Sequence, residues 1–544
     1  MEKLAIDLKT TPRMPLAADH IEAIRTIGSE LRFGAGEMIV SPGDPMDLFM
    51  LLEDGEIEVV SPVTGDRALP STLGPGQYMG DISFLSGGTW ATGMRAVRDT
   101  RVVTVPAADM LALMARVPEM SDIIVQVFAG RRRNIFEQGL SSLILVGADD
   151  DRRLRRLESF AARNRIPVTK IDLGSEEACD LLGEARCRED RPAALFAGKV
   201  LGEPTPRAVA RLLGLDMPLG DEETFDVAIV GGGPAGIAAA VYAGAEGLRG
   251  IVIENEVIGG QAGSSSRIEN YMGFPTGISG GDLAWRGEIQ AMRLGTRFVM
   301  PRQVVGVARE DDDRGPRYRL NLDDGESVVA RSIVIATGVQ YRRLPIDGLE
   351  RFEGAGVYYA ATEIEARFCK GAEIAIVGGG NSAGQAAMFL SRYAKHTHVL
   401  VRGEGLGETM SAYLSSRLAA DPTISVHPFT EVTALVGDVT LDAIEVANTR
   451  SGHARQMPVR AVFTMIGAAP NTSWLEDIVT LNDKGFVITG NEAGAETVFG
   501  TSASGIFAVG DVRLGSVKRV ASGVGEGSVV ISDVWRHVNG GLTP

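Results

Sequence analysis

Two stretches of this chain repeat one local design, an apolar β-branched run, a glycine-rich turn and then an Ala-rich helix. The first is "FDVAIVGGGPAGIAAAVYA", with Gly231, Gly233 and Gly236 spaced GxGxxG. Pro234 and Ala235 open its helix. The second, "AEIAIVGGGNSAGQAAMFLSRYA", follows about 150 residues later, with Gly378, Gly380 and Ala383 enclosing Asn381 and Ser382. In such a turn the first Gly allows a tight bend and the second lets the backbone approach a pyrophosphate. The third small residue packs helix on strand, leaving the phosphates at a helix N-terminus.

The strands that follow differ in charge. "GIVIEN" ends at Glu254, 23 residues after Gly231, where a carboxylate accepts from adenosine ribose hydroxyls. "HTHVLVRGEG" ends instead at Arg402, which suits a 2′-phosphate and favours NADPH over NADH at the second turn. Near the C-terminus, "TSASGIFAVGDVRLGSVKRVASGVGEGSVVISDVW" returns to a strand, Gly510 and Asp511, and then a glycine-rich helix. The return implies that the second nucleotide-binding unit is inserted into the first.

Composition narrows the function. With 70 acidic against 54 basic residues the net charge is −16, against a general nucleic-acid binder. Three cysteines in 544 residues, Cys179, Cys187 and Cys369, build no disulfide framework. The N-terminus lacks a signal-peptide core and no apolar run reaches membrane-spanning length, so a cytoplasmic protein is expected. His396 and His398 alternate along one strand without an evident third ligand, and no metal site is assigned.

The stretches "GGGPAG", "GGQAGSSSRIENYMGFP", "VIATG", "GGGNSAG", "FTMIGAAPNT" and "GIFAVGDV" resemble the low-molecular-weight thioredoxin reductase family of pyridine nucleotide–disulfide flavoproteins, over about residues 225–535. The resemblance implies FAD in the discontinuous domain, NADPH in the inserted one, and a homodimer. It places Gly259, Gly260, Gln261, Asn270 and Pro275 in the flavin stretch, and Thr337 and Gly338 on the dinucleotide side. Asp511 falls at the ribityl chain, with Arg519, Val520 and Ala521 by the isoalloxazine. The sequence departs where the family carries Cys-Ala-Thr-Cys, since Ala360 and Glu363 stand at the cysteine positions. The family's His-Arg-Arg is here Val401, Arg402, Gly403. Electrons would then pass from flavin directly to a small-molecule or redox-protein acceptor. Two alternatives stand beside this reading: a thioredoxin-disulfide reductase using unusual cysteines or a partner's dithiol, and a non-enzymatic flavin or nucleotide sensor or docking module.

The front of the chain carries two more resemblances. "FGAGEMIVSPGDPMDLFMLLEDGEIEVV" and "LGPGQYMGDISFLSGGTWATGMRAV" resemble the cyclic-nucleotide-binding family, a β-roll followed by helices. Its Gly-Glu pair is here Gly80 and Asp81, and its Pro-Arg is Thr89 and Trp90. Without that Arg an anion lacks its main partner. Gly80, Asp81, Trp90 and Arg95 form a candidate effector site, which would take a cyclic nucleotide, another small ligand stacked on Trp90, or nothing. "LILVG", "ESFAARNRIPVTKIDL" and "RPAALF" resemble a glutaredoxin- or thioredoxin-like unit, with "ADDDRR" where the Cys-x-x-Cys belongs, which reads as an adaptor without redox chemistry.

The expected layout is multidomain: a β-roll with helices at 1–137, a small α/β thioredoxin-like domain at 138–216 and a linker at 217–224. Two Rossmann-like three-layer domains follow, the FAD domain at 225–342 and 466–544 and the NAD(P)H domain at 343–465.

Overall fold

A computed structural model describes residues 14–540, apart from 61–64, 70, 91, 138–142, 149–150, 165, 167, 183–190, 197–198, 203, 214, 217–218, 220–222, 266–267, 269, 313–314, 354, 360, 362–364, 367–368, 407–409, 439 and 476. At the front, two antiparallel sheets face each other. One joins Ser29–Phe33, Thr100–Pro106, Leu48–Asp54 and Tyr78–Met79, and the other joins Met38–Val40, Gly93–Ala96 and Ile57–Val60. Buried residues of these sheets, including Phe49, Leu51, Val102 and Val105, form a core shared with the helix Pro118–Glu137 through Ile124, Val127 and Phe128.

The next unit is a four-stranded sheet in the order Lys199–Gly202, Ala193–Phe196, Ile144–Val146, Thr169–Ile171. Only the last pair is parallel. Helices Arg152–Arg163, Glu176–Leu182 and Pro206–Leu212 accompany it. A buried ion cluster ties it to the rest. Asp216 accepts from Arg207 at 3.1 Å, Arg211 at 3.0 Å and the fully buried Arg302 at 2.5 Å. Arg302 also reaches Glu326 at 2.6 Å. Removing Arg302 would leave the buried Asp216 carboxylate without its buried partner, a loss of about 3–5 kcal/mol.

The largest sheet runs Arg297–Val299, Gly250–Ile253, Thr224–Val230, Ser327–Ile335, Gly315–Leu322, Val304–Asp312, and Ile506–Ala508 adds in parallel to Ser327–Ile335. A strand from the far C-terminal region thus completes a sheet begun at Thr224. Between them lies a separate five-stranded parallel sheet, Val357–Tyr358, Ala461–Thr464, Glu373–Val377, His396–Leu400, Ile424–His427. It is faced by the antiparallel meander Thr430–Gly437, Leu441–Asn448, Ala454–Met457. The two crossings between these units pair with each other, Val339–Tyr341 against Ala468–Pro470.

One helix, Gly280–Arg293, serves two cores. Ile289 is buried inside the β-roll core, with Trp285 and Met292 packed against it. Arg293 donates to Ser121 Oγ at 3.1 Å and pairs with Asp122 at 2.8 Å. Its other face meets the first glycine-rich helix, and its start meets the turn Gly260–Ser264. Among the described residues no helix is long and apolar enough to cross a membrane.

Candidate functional site

The first glycine turn has the backbone its spacing predicts. Gly231 has φ +108°, and a Cβ there would lie 2.5 Å from the Ala336 carbonyl oxygen. A Cβ on Gly236 would sit 1.9 Å from the Gly231 carbonyl oxygen, so helix and strand touch backbone to backbone. Gly233 is different: it caps the helix Pro234–Ala245 and a Cβ there meets open space. The open backbone lies where a diphosphate would approach the helix N-terminus.

Other loops close on this point. Gly260 lies with its virtual Cβ 3.2 Å from Gly233 Cα, Gly510 with its own 3.1 Å from Ala235 Cβ, and Gly523 with its own 3.6 Å from the same Cβ. Arg519 caps the helix that begins at Val520 and Ala521, whose N-terminal turn is therefore brought to the same groove. Gln261 donates its amide to the Val339 carbonyl, joining the Gly260–Ser264 turn to the interdomain crossing. Thr337 Oγ1 donates to the Asn471 carbonyl at 2.9 Å and Asn471 Nδ2 returns to the Thr337 carbonyl at 3.0 Å, beside Gly338 at φ +60°. Asn270 is exposed.

Glu254 is buried. Its carboxylate accepts from Gly232 N at 2.6 Å and Glu256 N at 2.9 Å. Burial raises its pKa above the usual carboxylate range, although those backbone donors oppose the shift. Two oxygens offer about four acceptor positions, so capacity for ribose hydroxyls remains. Burial likewise raises Asp511, with Lys518 favouring its charged form and Glu526 opposing it. Sequence reading missed Glu526, which accepts from Gly510 N at 2.7 Å and pairs with Arg513 at 2.8 Å. A lone acid within "GVGEGS" was the available signal.

The second turn copies the first. Gly378 has φ +143°, Gly380 caps the helix Asn381–Leu390, and Ala383 is buried 3.4 Å from the Gly378 virtual Cβ. Asn381 Oδ1 accepts from Ser411 N at 2.8 Å, and Ser382 is exposed in the open first turn. Arg402 is exposed at the end of the adjacent strand. Ala360 and Glu363 lie outside the described residues, as does Cys187. Cys369 is free and fully buried, and burial pushes its thiol up to about 12, an inert environment. Cys179, half-buried on Glu176–Leu182, is disulfide-bonded, a feature the sequence reading of a redox-free adaptor did not anticipate.

The structure does not assemble the expected effector site as a ligand-stacking pocket. Trp90 is only 3% exposed and belongs to the β-roll core, so its ring faces are taken by packing. Asp81 is buried and its Oδ1 accepts from Ser83 N at 2.7 Å, which starts the short helix Ser83–Ser86. Gly80 packs on Phe128. Arg95 lies in the other sheet, paired with Glu58 at 2.6 Å, and Glu58 also accepts from Arg67 at 2.7 Å. An internal carboxylate thus occupies the guanidinium that an anion would need.

His396 and His398 do share a sheet face with His427, but they are spent on one another. His398 Nδ1 and His427 Nε2 lie 3.1 Å apart, His398 Nε2 is 3.3 Å from Glu373, and His396 Nε2 is 2.8 Å from Ser425 Oγ. Among the described residues no group of three or more His, Cys, Asp or Glu is arranged for a metal.

The family model described as pyridine nucleotide-disulphide oxidoreductase matches residues 225–527, and that described as cyclic nucleotide-binding domain matches residues 30–117. A thioredoxin reductase of Listeria monocytogenes is 31% identical over 319 residues, covering 58% of this chain and 95% of that protein. A 34.2 kDa protein in the rubredoxin operon of Clostridium pasteurianum is 29% identical, covering 59% of this chain and 99% of that one. The crystal structure of thioredoxin reductase from Streptococcus pyogenes superposes with a TM-score of 0.53 at 28% identity, covering 58% and 99%.

Two outcomes follow from this geometry. Gly233→Ala is expected to keep the thermal midpoint while weakening dinucleotide binding, whereas Gly236→Ala loses both; a melting curve and the bound-flavin absorbance separate them. The histidine pair sets a pH dependence. Burial lowers both rings, His427 to about 4, and protonating both would set N–H against N–H. A histidine depressed below its unfolded value of about 6.5 contributes stability fully above that pH and loses it as pH falls toward 4. Urea midpoints should drop over that window, and His427→Gln should flatten the slope.

Proposed function

The chain belongs to the pyridine nucleotide-disulphide oxidoreductase family, as a thioredoxin reductase-like member, and from that premise we propose an NADPH-dependent flavoprotein oxidoreductase that passes electrons from flavin directly to an acceptor. The observation that carries the direct route is the cysteine inventory: Cys369 is buried with a raised thiol pKa, and Ala360 and Glu363 replace the family's dithiol.

FAD fits the first turn on this structure's own terms. Gly233 leaves a cradle that a Cβ would enter, and Glu254 is a buried carboxylate at the ribose position. Gly231, Gly233 and Gly236 with the helix N-terminus at Pro234 and Ala235 would hold its diphosphate, Asp511 its ribityl hydroxyls, and Gly260, Gln261 and Arg519 to Ala521 would line its ring. Gly380, Asn381 and Ser382 would take the diphosphate of NADPH, and Arg402 its 2′-phosphate. When bound, the two nucleotides supply hydride transfer from nicotinamide to flavin and onward electron transfer. The chain's own part is to orient both nucleotides and neutralise their phosphates. A homodimer in the cytoplasm with a redox-protein or small-molecule acceptor accords with this reading.

One observation favours the second reading, disulfide reduction through unusual cysteines. Cys179 is disulfide-bonded, which supplies an oxidised sulfur pair. Anaerobic titration of the purified protein with NADPH separates the two. One equivalent per flavin, followed by turnover with an added quinone, supports the direct route. Two equivalents, falling to one in Cys179→Ser, support the disulfide route. No bleaching near 450 nm with NADPH or NADH overturns the enzyme reading.

We infer that the β-roll acts on the flavin groove through the helix Gly280–Arg293. Ile289 sits in its core, and a Cβ on Gly280 would lie 1.7 Å from the Ala262 carbonyl oxygen of the flavin turn. Ile289→Ala, a truncation of about 2–5 kcal/mol in the β-roll, should change both the rate of flavin reduction and bound-flavin fluorescence. Unchanged values in a folded variant exclude this route.

A further inference from the structure

We propose that Arg450 is the second guanidinium of the NADPH 2′-phosphate site, delivered from the meander to the place where the sequence has Gly403. The proposal rests on the reading that NADPH occupies the second glycine turn. Ligands of open parallel sheets bind beyond the carboxyl ends of the strands, and the end of the second strand reads the ribose 2′-position. Here that end is Val401, Arg402 and Gly403, with one cation and one glycine.

The neighbouring chain runs alongside this end. Val401 N donates to the His427 carbonyl at 3.0 Å, Thr430 N to the Val401 carbonyl at 2.9 Å and Phe429 N to the Gly403 carbonyl at 3.0 Å. Phe429 is therefore fixed beside Gly403, and it holds φ +53°, a left-handed conformation an aromatic residue adopts at a cost of about 1–3 kcal/mol. Arg450 lies over its ring, the guanidinium carbon 5.1 Å from the centroid. The ring provides the guanidinium with a flat seat that leaves its edge N–H donors free.

The turn bearing Arg450 is hydrogen-bonded to Phe429. Thr449 donates to the Phe429 carbonyl through its N at 2.7 Å and its Oγ1 at 3.2 Å. Asn448 Oδ1 accepts from Arg450 N at 3.1 Å, Ser451 N at 2.8 Å and Ser451 Oγ at 3.0 Å. Both Arg450 and Arg402 are exposed, and neither has an ion pair with a described carboxylate. Arg402 thus precedes Gly403 in the chain, and Arg450 lies over the ring of Phe429, whose N donates to the Gly403 carbonyl. A phosphate between the two guanidinium groups would gain charge-assisted bonds from both. Lysine would keep the charge but lose the stacked, planar donor edge.

Calorimetry on the full-length flavoprotein tests this with 2′,5′-ADP and 5′-AMP as probes, alongside stopped-flow flavin reduction by NADPH and NADH. Arg450→Ala should weaken 2′,5′-ADP by about tenfold or more, leave 5′-AMP unchanged, and lower the NADPH-over-NADH preference by a similar factor. Arg450→Lys should fall between. The salt dependence of 2′,5′-ADP binding should become shallower in Arg450→Ala. If Arg402→Ala loses 2′-phosphate discrimination and Arg450→Ala does not, the role of Arg450 is overturned while the NADPH reading stands. If Arg450→Ala weakens both probes equally, the residue supports the turn and does not read phosphate. If the wild-type protein binds 5′-AMP and 2′,5′-ADP alike, or neither, the NADPH reading fails and the proposal with it.

Discussion

The flavin-binding half is organised around one helix that is packed by backbone where most helices are packed by side chains. Pro234–Ala245 approaches its own strand through Gly236, whose missing Cβ would stand 1.9 Å from the Gly231 carbonyl oxygen. The C-terminal helix Val520–Val538 reaches it in the same way, since a Cβ on Gly527 would lie 2.1 Å from the Ala235 carbonyl oxygen. A third contact comes from Gly287 against Ile237, which brings the helix Gly280–Arg293 alongside. Methyl groups at these positions would push the elements apart by more than an ångström, and interiors at crystalline density do not absorb such shifts. The groove at Gly233 therefore has its width set by distant parts of the chain, at residues near 287 and 527. Binding of a dinucleotide and completion of the fold are thus one packing problem.

That dependence explains what could be read in advance and what could not. Gly231, Gly233, Gly236 and Glu254 were legible because strand, turn, helix and next strand follow one another within a few dozen residues, and each residue type has a local reason. "GIFAVGD" reads as a strand with no local partner, and the structure pairs Ile506–Ala508 with Ser327–Ile335. The role of Trp90 stayed open because an aromatic beside a glycine-rich loop looks alike from the sequence whether it faces a ligand or a core. The structure places it in the β-roll core, whose members include Met46, Phe49 and Phe128, far from it in sequence. The same holds for Arg302 and Asp216, which are 86 residues apart and meet only once the small α/β unit docks. Glu526 and Asn471 serve backbone groups of loops far away, and no spacing rule links them.

The front of the chain is joined to the back in two different physical ways. The small α/β unit is held by charge: Arg207, Arg211 and Arg302 converge on Asp216, with Asp324 and Glu326 balancing them. Such a cluster is most sensitive to truncation of Arg302, which would leave the fully buried Asp216 short of its buried partner. The β-roll is held by apolar burial, with Ile289 taken into its core and a single Arg293–Asp122 pair at the rim. Apolar burial is non-directional, while multi-centre ion clusters fix distance and angle.

The two nucleotide turns show how little a fold needs to change to alter what it binds. Their backbones are near copies, with Gly231 and Gly378 both at positive φ and Gly233 and Gly380 both capping helices. The difference lies one strand away. At the first, Glu254 is buried and pinned by Gly232 N and Glu256 N, so its oxygens have fixed positions and suit the directional bonds of hydroxyls. At the second, Arg402 is exposed on a flexible stem, and a long cation alone defines charge better than geometry. A hydroxyl needs an oriented acceptor, since a misplaced neutral hydrogen bond contributes almost nothing. A phosphate with two charges and several acceptor oxygens tolerates angular error but needs enough positive charge. The burial of Glu254 and the exposure of Arg402 accord with the proposed hydroxyl and phosphate partners, and Arg450, held over the Phe429 ring, would supply orientation that a lone exposed arginine lacks.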